Sequence, residues 1–360
     1  MNLSPEFISN IQNVFEEDGY ALLNALPDLI AETSARWGLM NVQPVDNLSY
    51  NFVAFAKSSF TAKNAKYAKE KQNLRAVSGP GGAEDSGEGD VVLKIGVPRD
   101  ELTSEIAALR LFDGEGACRL IDSDEERGFL LLERLNPGVM LSTMEDDEQA
   151  THIAAEVMQK IWRPLVDVTL SDSEGSITQT NRLSPALAPG ASVAAERLRV
   201  TYNKFIQLSD WFDGLNRLRA MFNGGTGPLD EKLVDRVEQS VKDFFDENHK
   251  PVLMHGDFHH FNILSSERGW LVIDPKGVIG PAGYEVGPFL INPWGDLLDG
   301  INQRRMTKRR IDILHERLGF ERERIHEWGL AHAVLSAWWG IEDNTGWDYA
   351  LAFAEMISTL

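Results

Sequence analysis

Residues 253–264 read LMHGDFHHFNIL, with one aspartate, three histidines and one asparagine set between apolar runs. Polar groups this dense between hydrophobic neighbours mark a loop at the end of a buried strand. His255 and His259 have the i, i+4 spacing of a zinc pair, but that spacing brings two imidazoles together only on a helix. Gly256 and Asn262 argue for a loop, and no third ligand set is evident, so the zinc reading fails.

The same residues fit phosphoryl transfer. His255-x-Asp257-x-x-x-x-Asn262 follows the H-R-D-x-x-x-x-N grammar of a kinase catalytic loop. There the aspartate takes the proton of the attacking hydroxyl and the asparagine amide oxygen helps to hold magnesium. Asp274, twelve residues after Asn262 at the end of GWLVID, supplies the second metal carboxylate. NILSS and GWLVID read as short strands joined at ERG by a tight hairpin, which returns Asp274 to the side of Asn262. His255 is expected to orient the loop by hydrogen bonding, with His259 and His260 packed around it.

Phosphoryl transfer of this kind also needs a strand lysine paired with a helical glutamate. VVLKIG offers Lys94 between apolar neighbours, where an ammonium must find a partner. Glu105 in ELTSEIAAL is the preferred partner and Glu101, a turn earlier, the second. The loop that covers the phosphates is normally glycine-rich, whereas DNLSYNFVAFA has no glycine. Ser49, Tyr50 and Asn51 would present backbone N–H groups and hydroxyls instead. Lysine, glutamate, HxDxxxxN and aspartate in this order imply an α+β, bilobal, protein-kinase-like fold, with a small β-rich N-lobe and a mainly helical C-lobe. NPG at Asn136–Gly138 marks the hinge, giving domains 1–135 and 136–360.

Around this frame, the first 40 residues read as helical, with Pro27 suited to an early turn. NLSYNFVAFA, DVVLKIGV and GFLLLERL read as strands, and an exposed insertion is expected at about 58–89. Beyond the hinge, helices are expected in DEQATHIAAEVMQKIWRPLV, in one long run VAAERLRVTYNKFIQLSDWFDGLNRLRAMF, in LDEKLVDRVEQSVKDFFDE and in the last 40 residues. With 360 residues and 43% hydrophobic composition the chain is long enough for two lobes. A net charge of −20 disfavours nucleic-acid binding and suits a cationic small-molecule partner. The basic run RRMTKRR, Arg304 to Arg310, reads as a solvated helix face. No apolar run of membrane-spanning length or signal peptide is visible, and the single cysteine, Cys118, suits a cytoplasmic setting. Oligomeric state is not legible.

HGDFHHFNIL followed by WLVIDPKGVIGPAGYEVG resembles the aminoglycoside/hydroxyurea phosphotransferase family, which includes the streptomycin 6-kinases. The likeness extends through NLSYNFVAF, VVLKIGVP, EIAALRLFDGEGACRLI, LLLERLNPG and LSAWWGIED to nearly the whole chain outside the insertion. It implies ATP as phosphoryl donor and magnesium as cofactor. Asp257 would be the base, Asn262 and Asp274 the magnesium ligands, Lys94 the phosphate lysine and Glu105 its partner. The backbone of Glu133, Arg134 and Leu135 would meet the adenine. For the acceptor the resemblance implies carboxylates, with Glu342, Asp343, Glu285 and Asp296 as candidates and Trp339 as an enclosing ring. Trp338 falls on the stripe Ile325, Trp328, Ala331, Leu335 and is expected in the core. The chain departs from the family pattern at Phe261, where glycine is usual, and in the insertion. A kinase of another cellular metabolite and a non-catalytic nucleotide-binding protein are the alternatives. Protein-kinase activity is disfavoured because no APE segment follows Asp274.

Overall fold

The computed structural model describes residues 3–58, 89–164, 205–245, 250–293 and 300–360. Almost all of the expected insertion, the first part of the long helix expected from Val193, and Asp296 lie outside them. The chain divides into two compact units, Met1–Gly138 and Val139–Leu360.

The first unit opens with the helix Pro5–Trp37. Ser4 caps it by accepting the Phe7 N–H at 3.1 Å, and Pro5 sits where a missing N–H costs nothing. Gly38, at φ +59, ends it in a left-handed turn. Two helical pieces meet at a kink at Glu16, and Pro27, expected in an early turn, lies in the interior of the second piece. Burial of Leu22, Leu26 and Trp37 against the sheet holds the helix through that lost hydrogen bond.

The sheet has strands β1 (Leu39–Pro44), β2 (Phe52–Ser58), β3 (Gly89–Ile95), β4 (Leu120–Asp124) and β5 (Phe129–Glu133), in the order β1-β2-β3-β5-β4. All pairs are antiparallel. Alternation sends Phe52, Ala54, Ala56, Val91, Leu93, Ile95, Phe129 and Leu131 to the face that packs on Phe7, Ile11 and Leu26. Lys94 lies on the other face, in register with Val53 and Leu130. The edge strands β1 and β4 were not legible in the sequence; LMNVQP and LIDSD carry too little alternation to announce them. Ser58, the last residue of β2, stands opposite Gly89, the first of β3.

The second unit is mainly helical. Its strands are short: β6 (Pro137–Met140), β7 (Arg163–Pro164), β8 (Ile206–Gln207), β9 (Val252–Met254), β10 (Ile263–Ser266), β11 (Gly269–Val272) and β12 (Val278–Gly280). They form two sheets, β11-β10-β6 and β7-β9-β12-β8. The β10–β11 hairpin turns through Glu267 and Arg268, with Ser266 opposite Gly269. The helices are Asp147–Ile161, Leu208–Phe212, Gly214–Met221, Glu231–Phe244, Val286–Ile291, Gly300–Leu318, Arg322–Glu342 and Asp348–Ile357. Arg322–Glu342 buries Ile325, Trp328, Leu330, Val334, Leu335 and Trp338 around most of its girth and is the central helix of this unit.

Two expectations are corrected here. The long helix is broken within its described part: Ile206–Gln207 pair in parallel with Val278 and Ile279, and two short helices follow. Strand pairing overrides helix propensity there. The basic run is helical, but Arg310 is not solvated. It is 2% exposed, pairs with Asp147 at 2.5 Å and donates to the Asn292 carbonyl at 2.6 Å. It therefore ties Gly300–Leu318 to Asp147 and to the end of the helix Val286–Ile291.

Candidate active site

In the second unit the loop after β9 is fixed from beneath. Glu285, with no exposed surface, accepts the N–H of His255 at 3.2 Å and of Gly256 at 2.7 Å. Gly256 stands at φ +87, and a Cβ there would meet Val278 Cγ2 at 2.3 Å, so only glycine fits. The His255 carbonyl accepts the N–H of Lys276 at 2.8 Å, which joins the loop to the segment after β11. The His255 ring takes the Asp257 N–H on Nδ1 at 3.1 Å and donates from Nε2 to the Ile273 carbonyl at 2.9 Å. That pattern requires the neutral imidazole. Burial, chiefly, lowers His255 to about 4, so the ring is neutral at physiological pH and acts as a fixed spacer.

Asn262 ends a short 3-10 turn, His260–Asn262, and its amide Nδ2 donates to the Asp257 carbonyl at 3.0 Å. The Asn262 carbonyl accepts the Ile273 N–H at 2.9 Å, one step beyond the Ile263–Val272 pair of the hairpin, and Asp274 is the next residue. Asp274 adopts φ +58, a left-handed conformation that aspartate tolerates better than most residues. His259 Nε2 lies 3.5 Å from Asp257 Oδ1. Burial alone would raise the Asp257 carboxyl. His259, with Lys276 and His255 beyond it, outweighs burial and holds the carboxyl well below the usual range.

These donors suit magnesium, a hard cation that takes oxygen ligands and completes its shell with phosphate and water. No group of three or more His, Cys, Asp or Glu among the described residues is placed to hold a metal alone.

In the first unit Lys94 Nζ lies 2.6 Å from Glu105 Oε2, both nearly sealed from solvent, while Glu101 is exposed. Ser49, Tyr50 and Asn51 end the β1–β2 connection, residues 45–51; Ser49 and Tyr50 are exposed, and Asn51 packs its Oδ1 over Gly96. Glu133 ends β5, Leu135 is buried, and the Arg134 guanidinium covers the Phe55 ring at 4.0 Å.

The expected acceptor residues are placed less uniformly. Glu285 is not on an acceptor surface: it is the buried brace just described. Its sequence signal was a lone carboxylate inside the apolar run GYEVGPFL, which must be buried and hydrogen-bonded. Glu342 receives a forked ion pair from Arg217, at 2.7 and 3.1 Å, so its charge is already matched. Asp343 is exposed, its carboxyl pushed up by partial desolvation and by Glu342. Trp339 is half-buried and Trp338 fully buried. Phe261 is 43% exposed, its ring set edge-on to His259. The buried Tyr284–His332 hydrogen bond, 3.0 Å, and Trp211 beside the loop were not anticipated.

The model of a family described as aminoglycoside/hydroxyurea antibiotic resistance kinase matches residues 83–171 and 191–344. The chain is 29% identical over 339 residues to a streptomycin 6-kinase from Streptomyces glaucescens, spanning 92% of this chain and 88% of that protein. It is also 29% identical over 256 residues to a hydroxyurea phosphotransferase from Kitasatospora aureofaciens, covering 71% and 63%. Among solved structures, choline kinase LicA from Streptococcus pneumoniae shares the fold at a TM-score of 0.53 and 10% identity, over 93% of this chain and 98% of that one. The fold is thus protein-kinase-like, with a sheet-bearing N-terminal unit and a mainly helical remainder. The chain belongs to the aminoglycoside/hydroxyurea antibiotic resistance kinase family.

Proposed function

We propose that the protein is an ATP- and magnesium-dependent O-phosphotransferase acting on a hydroxyl of a small molecule, foremost an aminoglycoside of the streptomycin kind, with hydroxyurea as the second acceptor. The relatives' activities support the acceptor class. The observation that carries the reading is the braced loop, which holds Asp257 and Asn262 by backbone contacts to Glu285, Ile273 and Lys276.

Asp257 remains a carboxylate at any working pH and is a weak base in the ground state. It therefore orients the acceptor hydroxyl and takes its proton late, as the bond to phosphorus forms; this suits a loose transition state. Asn262 Oδ1 and the Asp274 carboxylate would hold magnesium, which when bound with ATP neutralises phosphate charge. Lys94 is the cation for the nucleotide phosphates, and its pairing with buried Glu105 fixes one rotamer of a flexible side chain. Ser49–Asn51 are assigned to the phosphates and the backbone of Glu133–Leu135 to the adenine. Positioning and electrostatics supply most of the catalysis. The single cysteine suits action in the cytoplasm.

The test is ATP-dependent transfer with magnesium to streptomycin, other aminoglycosides and hydroxyurea, beside Asp257→Ala and Asp274→Ala. Transfer to one of them that falls by about a hundredfold or more in both variants is expected. A folded Asp274→Ala protein working at the wild-type rate overturns the assignment.

A further inference from the structure

Two tryptophans that the phosphoryl chemistry does not use stand against the catalytic loop. Trp211, in Leu208–Phe212, is so close to Gly256 that a Cβ there would lie 3.2 Å from its Cη2. The next residue is Asp257. Trp339, in Arg322–Glu342, meets Trp211 with ring centroids 5.4 Å apart and planes at 87°. Both keep part of their surface exposed, whereas Trp338 beside them is sealed in the core. The corner rests on a buried floor: Tyr284 meets Trp211 at 5.8 Å and hydrogen-bonds His332, which meets Trp339 at 6.2 Å. Burial lowers His332 to about 4, so the floor carries no positive charge at neutral pH. At the outer end stands the matched Arg217–Glu342 pair.

The geometry points to an acceptor platform: the Trp211–Trp339 corner takes the C–H face of a saturated, polyhydroxylated ring and presents one of its hydroxyls to Asp257. This rests on the phosphotransferase reading and deepens it by naming the side chains that would hold a ring-bearing acceptor. Large, stiff indoles with one face open recognise ligands at little entropic cost, and they attract cationic substituents on such a ring. A one-carbon urea has no C–H face to lay on them. The corner thus favours the ring-bearing acceptor over hydroxyurea.

The test uses the full chain and its Trp211→Ala, Trp339→Ala and matching Trp→Phe variants, with streptomycin and hydroxyurea as acceptors at saturating ATP. The KM for streptomycin is expected to rise about tenfold or more in each alanine variant, the scale of a lost desolvated ring contact. Phenylalanine should recover most of it, and the KM for hydroxyurea and for ATP should move far less. Unchanged streptomycin KM in both alanine variants overturns the platform, and an equal rise for hydroxyurea overturns the class. Titrating nucleotide-free protein with streptomycin while following tryptophan fluorescence decides independently of turnover. A saturable change that Trp211→Ala and Trp339→Ala diminish supports the platform, and no change in wild type overturns it. Binding by this readout without phosphate transfer would instead count against the phosphotransferase reading alone.

Discussion

Glu285→Gln keeps the shape of the brace beneath the catalytic loop and removes its titration. Burial, the largest influence, pushes the Glu285 carboxyl from 4.5 up to about 8, against the pull of the two N–H groups it accepts. A carboxyl that binds its proton more tightly in the fold stabilises fully below its unfolded pKa of 4.5 and loses that stabilisation as pH rises to about 8. One proton corresponds to about 1.36 kcal/mol per pH unit, so roughly 2 kcal/mol is lost between pH 6.5 and pH 8. His255 and His332 act in the opposite sense. Each is lowered from 6.5 to about 4, so their contribution is complete above pH 6.5 and is lost as pH falls toward 4. They are silent in the alkaline window. Glutamine has one acceptor oxygen, so its NH₂ opposes one of the two backbone N–H groups, at about 1–3 kcal/mol. The assay is urea unfolding at pH 6.5 and pH 8 followed by tryptophan fluorescence, to which the second unit contributes all but Trp37 of the 9 tryptophans. Wild type should lose about 2 kcal/mol across that range, whereas Glu285→Gln should start lower and stay level. An equal alkaline loss in the variant would refute the reasoning.

Asp257→Ala should cut transfer by about 10²–10⁴-fold, measured as phosphorylated acceptor, with the melting temperature little changed. Lys94→Met strands Glu105 without its lysine, should cost about 3–5 kcal/mol and should raise the KM for ATP; adding Glu105→Leu should recover much of the stability but not the KM. Arg310→Met should cost a similar 3–5 kcal/mol in urea unfolding because Asp147 and the Asn292 carbonyl lose their donor, whereas exposed Lys308→Ala should change stability by less than about 0.5 kcal/mol. Gly256→Ala should lose both fold stability and turnover, since its Cβ meets Val278 and its φ of +87 is strained for alanine. Wild-type turnover in a folded Gly256→Ala protein would contradict the loop geometry.

The placement of the residues assigned to the proposed chemistry was legible because phosphoryl transfer constrains residue types at set spacings. HxDxxxxN and the hairpin to Asp274 are short-range patterns, and a hairpin turn is a local event. The Lys94–Glu105 contact was legible for a different reason: a strand lysine between apolar neighbours must be paired, and the following helix offers few carboxylates. What stayed hidden depends on partners distant in sequence. Arg310 looked like part of a charged face because its partner Asp147 lies 163 positions away. Its place four residues before buried Leu314, on the inward stripe of the helix, was the available signal. Strand β8 was hidden because a two-residue parallel pairing with β12 leaves no periodicity. Trp211 sat inside a run that read as helix, and nothing local separates a packing tryptophan from one beside a catalytic loop.

The loop and the corner beside it differ in what each demands of evolution. Around Asp257 the constraint lies in the backbone, where Gly256, Asp274 and Gly277 all occupy left-handed conformations. Substitution there disturbs the chain path, so even a change that preserves charge, such as Asp274→Glu, meets a conformational obstacle. At Trp211 and Trp339 the constraint lies in half-exposed side chains on ordinary helices, where size and polarity can drift without bending the backbone. Selection for a different acceptor can therefore act on the corner while the phosphoryl machinery stays fixed. Shifts in resistance spectrum within such a scaffold should concentrate at those rings and their rim, and spare the loop.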